Sequence, residues 1–407
     1  MSYYHRGGKE ANSQTMDLKT RIRRRQHSGG DSRIVLEYEA VSPVAHVEEP
    51  TGRGPVLERL LDYLGPAFEG ELPTDAYVRG PAGAGKSAVV TALFTHMSRL
   101  LTGSAPVIHT STRAQTTDAP SFVYVDARRA DSPFGLYYAV LDDVLEESVP
   151  QQGVGTETMR SRLVEHLRPL GRNVVVAVDH LEEPGGLELR TVQEALEPVA
   201  DSVACVAVGR NPPDDLPGEI RPPERIEIPA YERHALADLL TARASDGLTQ
   251  QALSHEQVRR LADWAEGDAH DALAALFGAA DLAVMAGYDR VRERDLTDSM
   301  NAVPRPSATL GHVHTLPATR QLVLRRLIDL DESDIASVDA AAETVAGTRG
   351  VDLSTGTVKR FLYELAEDGI IQRVTTADNT SAGRPPSRLE PRFPTLVFRR
   401  LYDLEFG

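Results

Sequence analysis

One glycine-rich segment, residues 80–87 with the sequence GPAGAGKS, constrains this chain more than any other feature. It matches the phosphate-binding pattern G-x-x-x-x-G-K-[ST], follows a short extended run at 76–78 and opens an apolar helical segment at 88–93. In that context successive backbone N–H groups and a helix N-terminus face an anion. We therefore expect the chain to bind ATP through Gly80, Pro81, Ala82, Gly83, Ala84, Gly85, Lys86, Ser87 and Ala88.

Two side chains of this loop, and one at the end of a buried strand, have specific expected roles in binding the phosphates and a metal ion. Lys86 can reach the β and γ phosphates, and the Ser87 hydroxyl can ligate Mg²⁺. The apolar run 174–178 ends in Asp179, an arrangement that places a carboxylate beside the Mg²⁺ held by Ser87. The sequence thus predicts both ATP and Mg²⁺ as ligands.

The residues after the two central strands are candidates for catalysis. His180 follows Asp179, where most ATPases of this kind have a glutamate that activates water. Its imidazole could act as a base near neutral pH, or position 180 has lost its catalytic role and hydrolysis is slow. Glu182 and Glu183 are expected to lie too far around the turn to substitute. Asn211, after the next strand, is either a sensor of the γ phosphate or a plain turn residue.

Composition limits the class of protein. At 407 residues the chain is expected to form two or three domains. It has no apolar run long enough for a bilayer, and its N-terminus lacks the apolar core of a signal peptide, so we expect a cytoplasmic protein without membrane contacts. The single cysteine, Cys205, lies in an apolar run, which excludes a disulfide framework within the chain and predicts a buried thiol.

The charge balance is acidic and poor in lysine. The net charge is −16, and lysine occurs only at positions 9, 19, 86 and 359. Such a surface is typical of proteins from halophilic archaea, where salt screens the self-repulsion. Two of the four lysines fall in functional candidates, the phosphate-binding loop and a helix discussed below.

Patterning along the chain predicts four parts. Residues 1–45 form a basic tail that is expected to be disordered, polar above all up to about residue 33. In 46–232, short apolar runs alternate with helical segments, which predicts an α/β fold with a parallel sheet covered on both faces. Residues 233–305 read as helices, including 268–286 with one apolar stripe. A proline-containing linker at 303–306 leads to a small domain at 312–407.

The C-terminal part has the pattern of a winged helix. Ser354 can cap a helix whose core residues recur at positions 358, 361, 362 and 365, and Gly369 can end it. Residues 370–374 and 387–389 bracket a glycine- and proline-containing loop, and residues 355–400 hold eight basic and five acidic side chains. We expect DNA contacts, whereas a protein-binding winged helix is the alternative. The DNA-binding candidates are Thr357, Lys359, Arg360, Arg384 and Arg388.

Together these segments resemble the archaeal initiators of the origin-recognition and cell-division-control type, within the AAA+ ATPases. The resemblance rests on the phosphate-binding loop, Asp179, Asn211 and the lid motifs at 229–232 and 267–273, and it extends from about residue 45 to the C-terminus. It implies an AAA+ core with a helical lid and a winged helix, adds Tyr231 to the nucleotide-binding residues, and implies binding of double-stranded origin DNA. It also implies contacts with the replicative helicase and with other initiator copies.

The chain departs from this family at two catalytic positions. His180 stands where a glutamate is usual, and His270 stands where the family has an arginine that reaches the γ phosphate. A histidine donates a charge only when protonated, unlike an arginine. Arg221 is a candidate for the arginine that such proteins offer to a neighbour's nucleotide. We therefore expect ATP binding with slow or absent hydrolysis.

Two functions remain open on this basis. The first is an ATP-dependent replication initiator that recognises origin DNA and helps to recruit the helicase. The second is a degenerate paralogue that binds ATP structurally and regulates transcription or replicon copy number. A small-molecule kinase would explain neither the lid motif nor the winged helix.

Overall fold

The structure is a computed structural model, and it describes residues 34–102, 119–169, 171–181, 183–184, 186–212, 216, 218, 222–331, 334–375 and 387–406. Five parallel strands form the main sheet in the order β2-β3-β4-β1-β5. They are β1 (Ala76–Arg79), β2 (Ser121–Asp126), β3 (Val174–Asp179), β4 (Val203–Gly209) and β5 (Glu224–Glu227). The predicted parallel sheet is confirmed.

The central strands form where the sequence has unbroken apolar runs. Every residue of β3 and β4 is buried, as expected of strands covered on both faces. Strand β5, with the sequence ERIE, was not predicted, because three of its four residues are exposed at the sheet edge and carry charge. Cys205 is buried in β4, as predicted.

Fifteen α-helices and two short 3₁₀ helices (Gly65–Glu69 and Glu197–Val199) occur in the described part of the chain, and the α-helices are numbered in chain order. They are α1 (Tyr38–Val41), α2 (Gly54–Tyr63), α3 (Lys86–Thr102), α4 (Pro133–Val144), α5 (Thr156–Leu167), α6 (Leu189–Leu196), α7 (Arg233–Gly247), α8 (His255–Ala265), α9 (Ala269–Met285), α10 (Glu293–Asn301), α11 (Leu310–Thr315), α12 (Ala318–Leu327), α13 (Val338–Gly347), α14 (Thr355–Glu367) and α15 (Thr395–Phe406).

Helices cover both faces of the sheet. Helices α2 and α3 pack one core against it, around Leu60, Leu93 and Met97. Helices α4, α5 and α6 pack a second core on the opposite face, around Leu136 and Leu163. Burying both faces removes the apolar side chains of successive strand residues from water, which accounts for the continuous valine runs of the sequence.

Helices α7–α10 follow the sheet as the all-helical segment that the sequence predicts. Helix α9 begins after the Asp268 side chain, which accepts a hydrogen bond from the Asp271 amide and so caps the helix. The prediction of one apolar stripe on this helix was incomplete. Ala274, Ala275 and Phe277 are all buried, on different sides of α9, because helices pack around nearly its whole circumference.

Residues 34–45 differ from the tail predicted for 1–45. Ile34 and Val41 are buried in the core that surrounds α9, and α1 packs against α7. The Tyr38 hydroxyl donates a 2.7 Å hydrogen bond to Asp281 of α9, and the Arg400 guanidinium lies over the Tyr38 ring. These contacts join segments far apart in sequence, which local patterning does not reveal. The basic residues 1–33 lie outside the described residues.

Helices α11–α15 form the C-terminal part with the hairpin of β6 (Ile371–Thr375) and β7 (Ser387–Pro391). Ser354 caps α14 by accepting the Thr357 amide, and Val358, Leu362 and Leu365 form its buried face, as predicted. Gly369 adopts a φ of +71° just after the helix, a conformation that favours glycine. None of the described helices is both long and apolar enough to cross a membrane.

Removing the Tyr38 hydroxyl tests how firmly residues 34–45 are held. Asp281 is buried, and burial raises the pKa of its carboxyl, whereas Tyr38 and Arg400 act in the opposite direction. Tyr38→Phe deletes a hydrogen bond to this buried carboxyl, so we expect a loss of about 1–3 kcal/mol in the free energy of unfolding. Denaturant unfolding measures it, with Tyr363→Phe on the exposed side of α14 as the control. Equal effects of the two substitutions would contradict the expectation.

Candidate functional site

A cavity of about 1120 Å³ opens at the carboxyl edge of the main sheet. Its floor is the phosphate-binding loop together with the residues that follow β2, β3 and β4. Its other walls are the segment 43–51, helix α7, the start of α9 and the start of α11. Because parallel strands end at one edge, residues from four separate parts of the sequence meet here.

The phosphate-binding loop is held in a narrow space. Gly83 and Gly85 have φ values of +63° and +75°, where a side chain would strain the backbone. A Cβ on Gly80 would lie 2.2 Å from the Ile228 carbonyl oxygen, and one on Gly83 would lie 1.9 Å from Asp268 Oδ1. Close packing therefore requires glycine at positions 80 and 83, and turn geometry favours it at 83 and 85.

Lys86 and Ser87 stand at the N-terminus of α3, where backbone amides point toward the cavity. The Lys86 ammonium donates to the carbonyl oxygens of Gly80 and Pro81, at 2.7 and 2.9 Å. Pro81 and Ala82 are exposed at the tip of the loop, and Ala88 follows in the first turn of α3. Residues 82–88 line the cavity.

A buried arginine that the sequence did not single out braces the loop. Arg53 Nη2 donates to the Ala84 carbonyl oxygen at 2.6 Å, and its guanidinium lies 3.5 Å from the centre of the Tyr231 ring. Tyr231 is itself buried and lines the cavity. Arg53 therefore links the residue before α2, the phosphate-binding loop and the start of the lid.

Asp179 and His180 lie beside Ser87. Asp179 is 1% exposed, and its carboxylate accepts from the Tyr124 hydroxyl at 2.8 Å and from the His180 amide at 2.7 Å. His180 has a φ of +64°, and its Nε2 lies 3.4 Å from Ser87 Oγ and 3.6 Å from Asp179 Oδ2. The imidazole thus contacts both candidate metal-supporting side chains.

Glu183 corrects the expectation that it lies too far from the site. Its side chain is only 8% exposed. The carboxylate accepts hydrogen bonds from His180 Nδ1 at 3.1 Å, from Arg210 Nη2 at 3.0 Å and from His312 Nδ1 at 3.2 Å. Arg128 forms a longer ion pair with it at 3.6 Å. Burial alone would raise the pKa of this carboxyl, but the hydrogen bonds from His180 and His312 and the nearby Arg128 lower it well below its usual range. The turn after His180 folds back and brings Glu183 to the cavity.

His270 is directed to the C-terminal part of the chain. Its Nε2 accepts a 3.1 Å hydrogen bond from the backbone amide of Leu310, the first residue of α11. Since Nε2 is an acceptor in this contact, it does not donate into the cavity. His270 lines the wall next to Thr309 and Gly311, so α11 closes one side of the cavity.

Asn211 and its neighbour Arg210 differ from the expectation. Asn211 is exposed, its backbone carbonyl accepts from the Tyr77 hydroxyl at 3.3 Å, and it is not among the residues that line the cavity. Arg210 lines the cavity instead. The structure therefore does not bring Asn211 to the phosphate-binding loop. The sequence could have indicated Arg210 as a site residue, because it is a basic residue directly after a buried strand.

Two groups of side chains offer ligand atoms for a cation. Ser87 and Asp179 offer hydroxyl and carboxylate oxygens next to the phosphate-binding loop, which are donors that suit Mg²⁺. Asp268, His270 and Asp271 also lie close together, but Asp268 caps α9 and His270 binds the Leu310 amide. Ser87 and Asp179 therefore fit Mg²⁺, whereas the second group does not.

The DNA-binding candidates lie on α14 and the hairpin. Thr357 contacts Ser354 at the start of α14, Lys359 forms an ion pair with Asp339, and Arg360 lies 3.7 Å from Glu364. Arg388 on β7 pairs with Glu390 at 2.5 Å. These four side chains share the exterior of the C-terminal part. Arg384 and Arg221 lie outside the described residues.

Comparisons with known proteins agree with this architecture. A family model described as "AAA ATPase domain" matches residues 49–208. The ORC1-type DNA replication protein 1 of Aeropyrum pernix is 25% identical over 291 residues, which cover 68% of this chain and 70% of the relative. The ORC1-type DNA replication protein 9 of Halobacterium salinarum is 27% identical and covers 58% and 63%, respectively.

Solved structures show the same fold over nearly the whole chain. The Orc1 protein of Aeropyrum pernix, solved in complex with DNA, superimposes with a TM-score of 0.60 at 22% identity and covers 93% of this chain and 99% of its own. Cdc6p of Pyrobaculum aerophilum gives a TM-score of 0.52 at 20% identity, covering 92% and 100%. The chain resembles the archaeal ORC1/Cdc6 proteins, with an AAA+ nucleotide-binding fold, a helical lid and a C-terminal winged helix.

Proposed function

We propose that the protein is an ATP-dependent, DNA-binding replication initiator that recognises origin DNA and helps to recruit the replicative helicase. The observation that carries this proposal is a cavity with the phosphate-binding loop on its floor and α11 of the C-terminal part in its wall. The proposed nucleotide site would thereby be in contact with the C-terminal part of the chain. The ORC1-type names of the relatives point to replication as the process served.

ATP would occupy the cavity with its phosphates at the N-terminus of α3. Lys86 would exchange the Gly80 and Pro81 carbonyl oxygens for the β and γ phosphates, and the loop amides would hold the β phosphate. The segment 43–51 and α7 remain for the nucleoside. Ser87 and Asp179 would hold Mg²⁺, which when bound neutralises charge on the phosphate oxygens.

Hydrolysis is proposed to be slow. His180 is the side chain that takes the place of the usual carboxylate, and Glu183 fixes its Nδ1 side. Glu183 is poorly placed to activate water itself, because its side chain is 8% exposed and its carboxylate already contacts two histidines and two arginines. The family arginine at position 270 is replaced by a histidine whose Nε2 is used by Leu310. The site is therefore better equipped to hold ATP than to cleave it.

The winged helix would bind double-stranded DNA through α14 and the hairpin. Lys359, Arg360 and Arg388 are paired with carboxylates of their own domain, and in a complex these pairs would exchange for phosphates or base edges. Such an exchange costs little when the partner acid is exposed, as Asp339 is at 72% of its side chain.

A second function is favoured by the two histidines. Both His180 and His270 are built into contacts that lead to α11, an arrangement that suits ATP as a structural ligand in a DNA-bound regulator of transcription or copy number. Chromatin immunoprecipitation separates the two roles. A peak at a replication origin supports the initiator, and peaks confined to promoters support the regulator.

Removing the Lys86 charge tests nucleotide binding. Lys86→Ala deletes the ammonium placed for the β and γ phosphates, so we expect ATP affinity to fall by at least about 100-fold, near the upper end of the cost of one charge-assisted hydrogen bond. Calorimetric or fluorescence titration with ATP measures it. Lys359→Ala on the winged helix is the matched control and should bind ATP normally. Unchanged affinity in Lys86→Ala would remove the basis of the proposal.

Restoring a carboxylate at position 180 tests the slow hydrolysis. A positioned general base contributes about 10²–10⁴-fold, so we expect His180→Glu to raise the rate constant of ATP cleavage by at least about tenfold. We use the single substitution and do not add His270→Arg, because that second change would also remove the group that accepts the hydrogen bond of the Leu310 amide. Single-turnover phosphate release measures it, with the exposed His234→Glu as the control. A wild type that already matches the variant would show that position 180 is not limiting.

Replacing the basic residues of the winged helix tests DNA binding. Arg388→Ala, and equally Arg384→Ala, should weaken binding to every sequence and lower the salt slope by about one unit for each phosphate that the variant no longer neutralises. Lys359→Ala or Arg360→Ala should cost about 1–3 kcal/mol on the preferred site if either reads a base edge, and less on random DNA. Salt-series titrations on origin-derived and random duplexes measure both effects, with Arg294→Ala on the exposed face of α10 as the control. If none of the four changes binding, the winged helix serves protein contacts.

A further inference from the structure

We propose that His180 is a further protein ligand of the divalent cation bound with the nucleotide, through its Nε2 atom, and that the site therefore prefers a first-row transition metal ion to Mg²⁺. This inference rests on the proposed ATP binding. It adds a nitrogen ligand, and a preference among metal ions, to the cation site that Ser87 and Asp179 offer.

The Nε2 atom of His180 lies next to both of these side chains. It is 3.4 Å from Ser87 Oγ and 3.6 Å from Asp179 Oδ2, and all three residues line the cavity. Donor atoms that bind one ion with bonds of about 2.0–2.2 Å lie roughly 3.0–3.5 Å apart in octahedral or tetrahedral geometry. The two separations in this structure are therefore close to those of atoms that share one metal ion.

The opposite side of the imidazole determines which nitrogen can bind a metal ion. His180 Nδ1 lies 3.1 Å from Glu183 Oε1, and Arg128 and Arg210 contact the same carboxylate. Cationic neighbours favour an ionised carboxylate, which only accepts hydrogen bonds, so Nδ1 is the donor. In a neutral imidazole the lone pair is then on Nε2, at the cavity side. Histidine ligands of metal ions commonly donate their other N–H group to a carboxylate in this way.

The backbone at His180 directs the ring toward Ser87. The φ of +64° is uncommon for a residue with a side chain, and such strained residues are frequent at binding and catalytic sites. The His180 amide donates to Asp179 Oδ1 at 2.7 Å, and the Tyr124 hydroxyl donates to Asp179 Oδ2 at 2.8 Å. These contacts hold the imidazole and the carboxylate in place relative to each other before a ligand binds.

The chemical type of the added ligand decides which ion is preferred. Mg²⁺ is a hard cation that binds oxygen atoms and loses its water reluctantly. An imidazole nitrogen suits the later first-row ions better, and the affinity of such ligands generally rises from Mn²⁺ through Co²⁺ to Ni²⁺. The serine hydroxyl, the carboxylate and the phosphate oxygens accept either kind of ion. His180 is therefore the group that shifts the preference toward a transition metal ion.

The test compares ATP affinity in Mg²⁺ and in Co²⁺ for the full-length wild type and His180→Asn. Asparagine tolerates a positive φ but has no imidazole nitrogen. We expect the wild type to bind ATP at least about tenfold more tightly with Co²⁺ than with Mg²⁺. His180→Asn should lose at least about tenfold in affinity with Co²⁺ and less than about threefold with Mg²⁺. His234→Asn, at an exposed position of α7, is the matched control.

Proton NMR of the Co²⁺ and ATP complex gives a second readout that does not depend on affinity. A histidine that binds Co²⁺ through Nε2 should show a strongly shifted Nδ1–H resonance that exchanges with solvent. We expect this resonance in the wild type and in His234→Asn, and its absence from His180→Asn. A resonance that persists in His180→Asn would place the ion on another imidazole and overturn the inference.

The affinities separate failure of the inference from failure of the proposed function. A wild type that binds ATP without preference for Co²⁺ overturns the inference while ATP binding stands. A ratio of the Co²⁺ to the Mg²⁺ affinity that is the same in wild type and His180→Asn also overturns it, whether both affinities are kept or both are lost. A wild type that binds ATP with neither ion refutes the proposed function itself, and the inference with it.

Discussion

Parallel pairing of the main strands is the constraint on which the rest of the site depends. It brings the ends of β1, β2, β3 and β4 to one edge, where the phosphate-binding loop, Arg128, Asp179 and Arg210 are then within reach of one another. The strands can pair in this way only because helices bury both faces. Site chemistry and core packing are thus consequences of the same arrangement.

Around that edge the charges are organised by one buried carboxylate. Glu183 binds side chains from three separate parts of the chain: Arg128 after β2, Arg210 after β4, and His312 on α11. A carboxylate at 8% exposure needs such partners to remain ionised, and they in turn are positioned by it. Both candidate catalytic histidines make contacts that lead to α11, His180 through Glu183 and His312, and His270 through the Leu310 amide.

The sequence was sufficient for those features that depend on local pattern. Strands β1–β4 are visible as apolar runs, Asp179 is fixed by its place at a strand end, and the winged helix is visible from the cap, stripe and stop of α14. Arg210 was missed in favour of Asn211 because successive residues at a strand end point in opposite directions, and sequence spacing does not say which one faces the loop. Glu183 was missed because its approach depends on the turn that starts with His180 at positive φ, and residues 34–45 because their contacts are more than 200 residues away.

The apolar cores divide the molecule between the sheet and the lid, whereas the sequence predicts a division at the linker 303–306. The lid and the C-terminal part share one continuous core that runs from Phe277 through Leu310 to Phe398, whereas the sheet has its own two cores. The proline-containing linker at 303–306 therefore lies within a single packed unit. Separating the lid from the winged helix would expose buried apolar side chains, whereas moving both together relative to the sheet would keep this shared core intact. A relative movement of the nucleotide site and the winged helix would thus cost least if it carried the whole lid along.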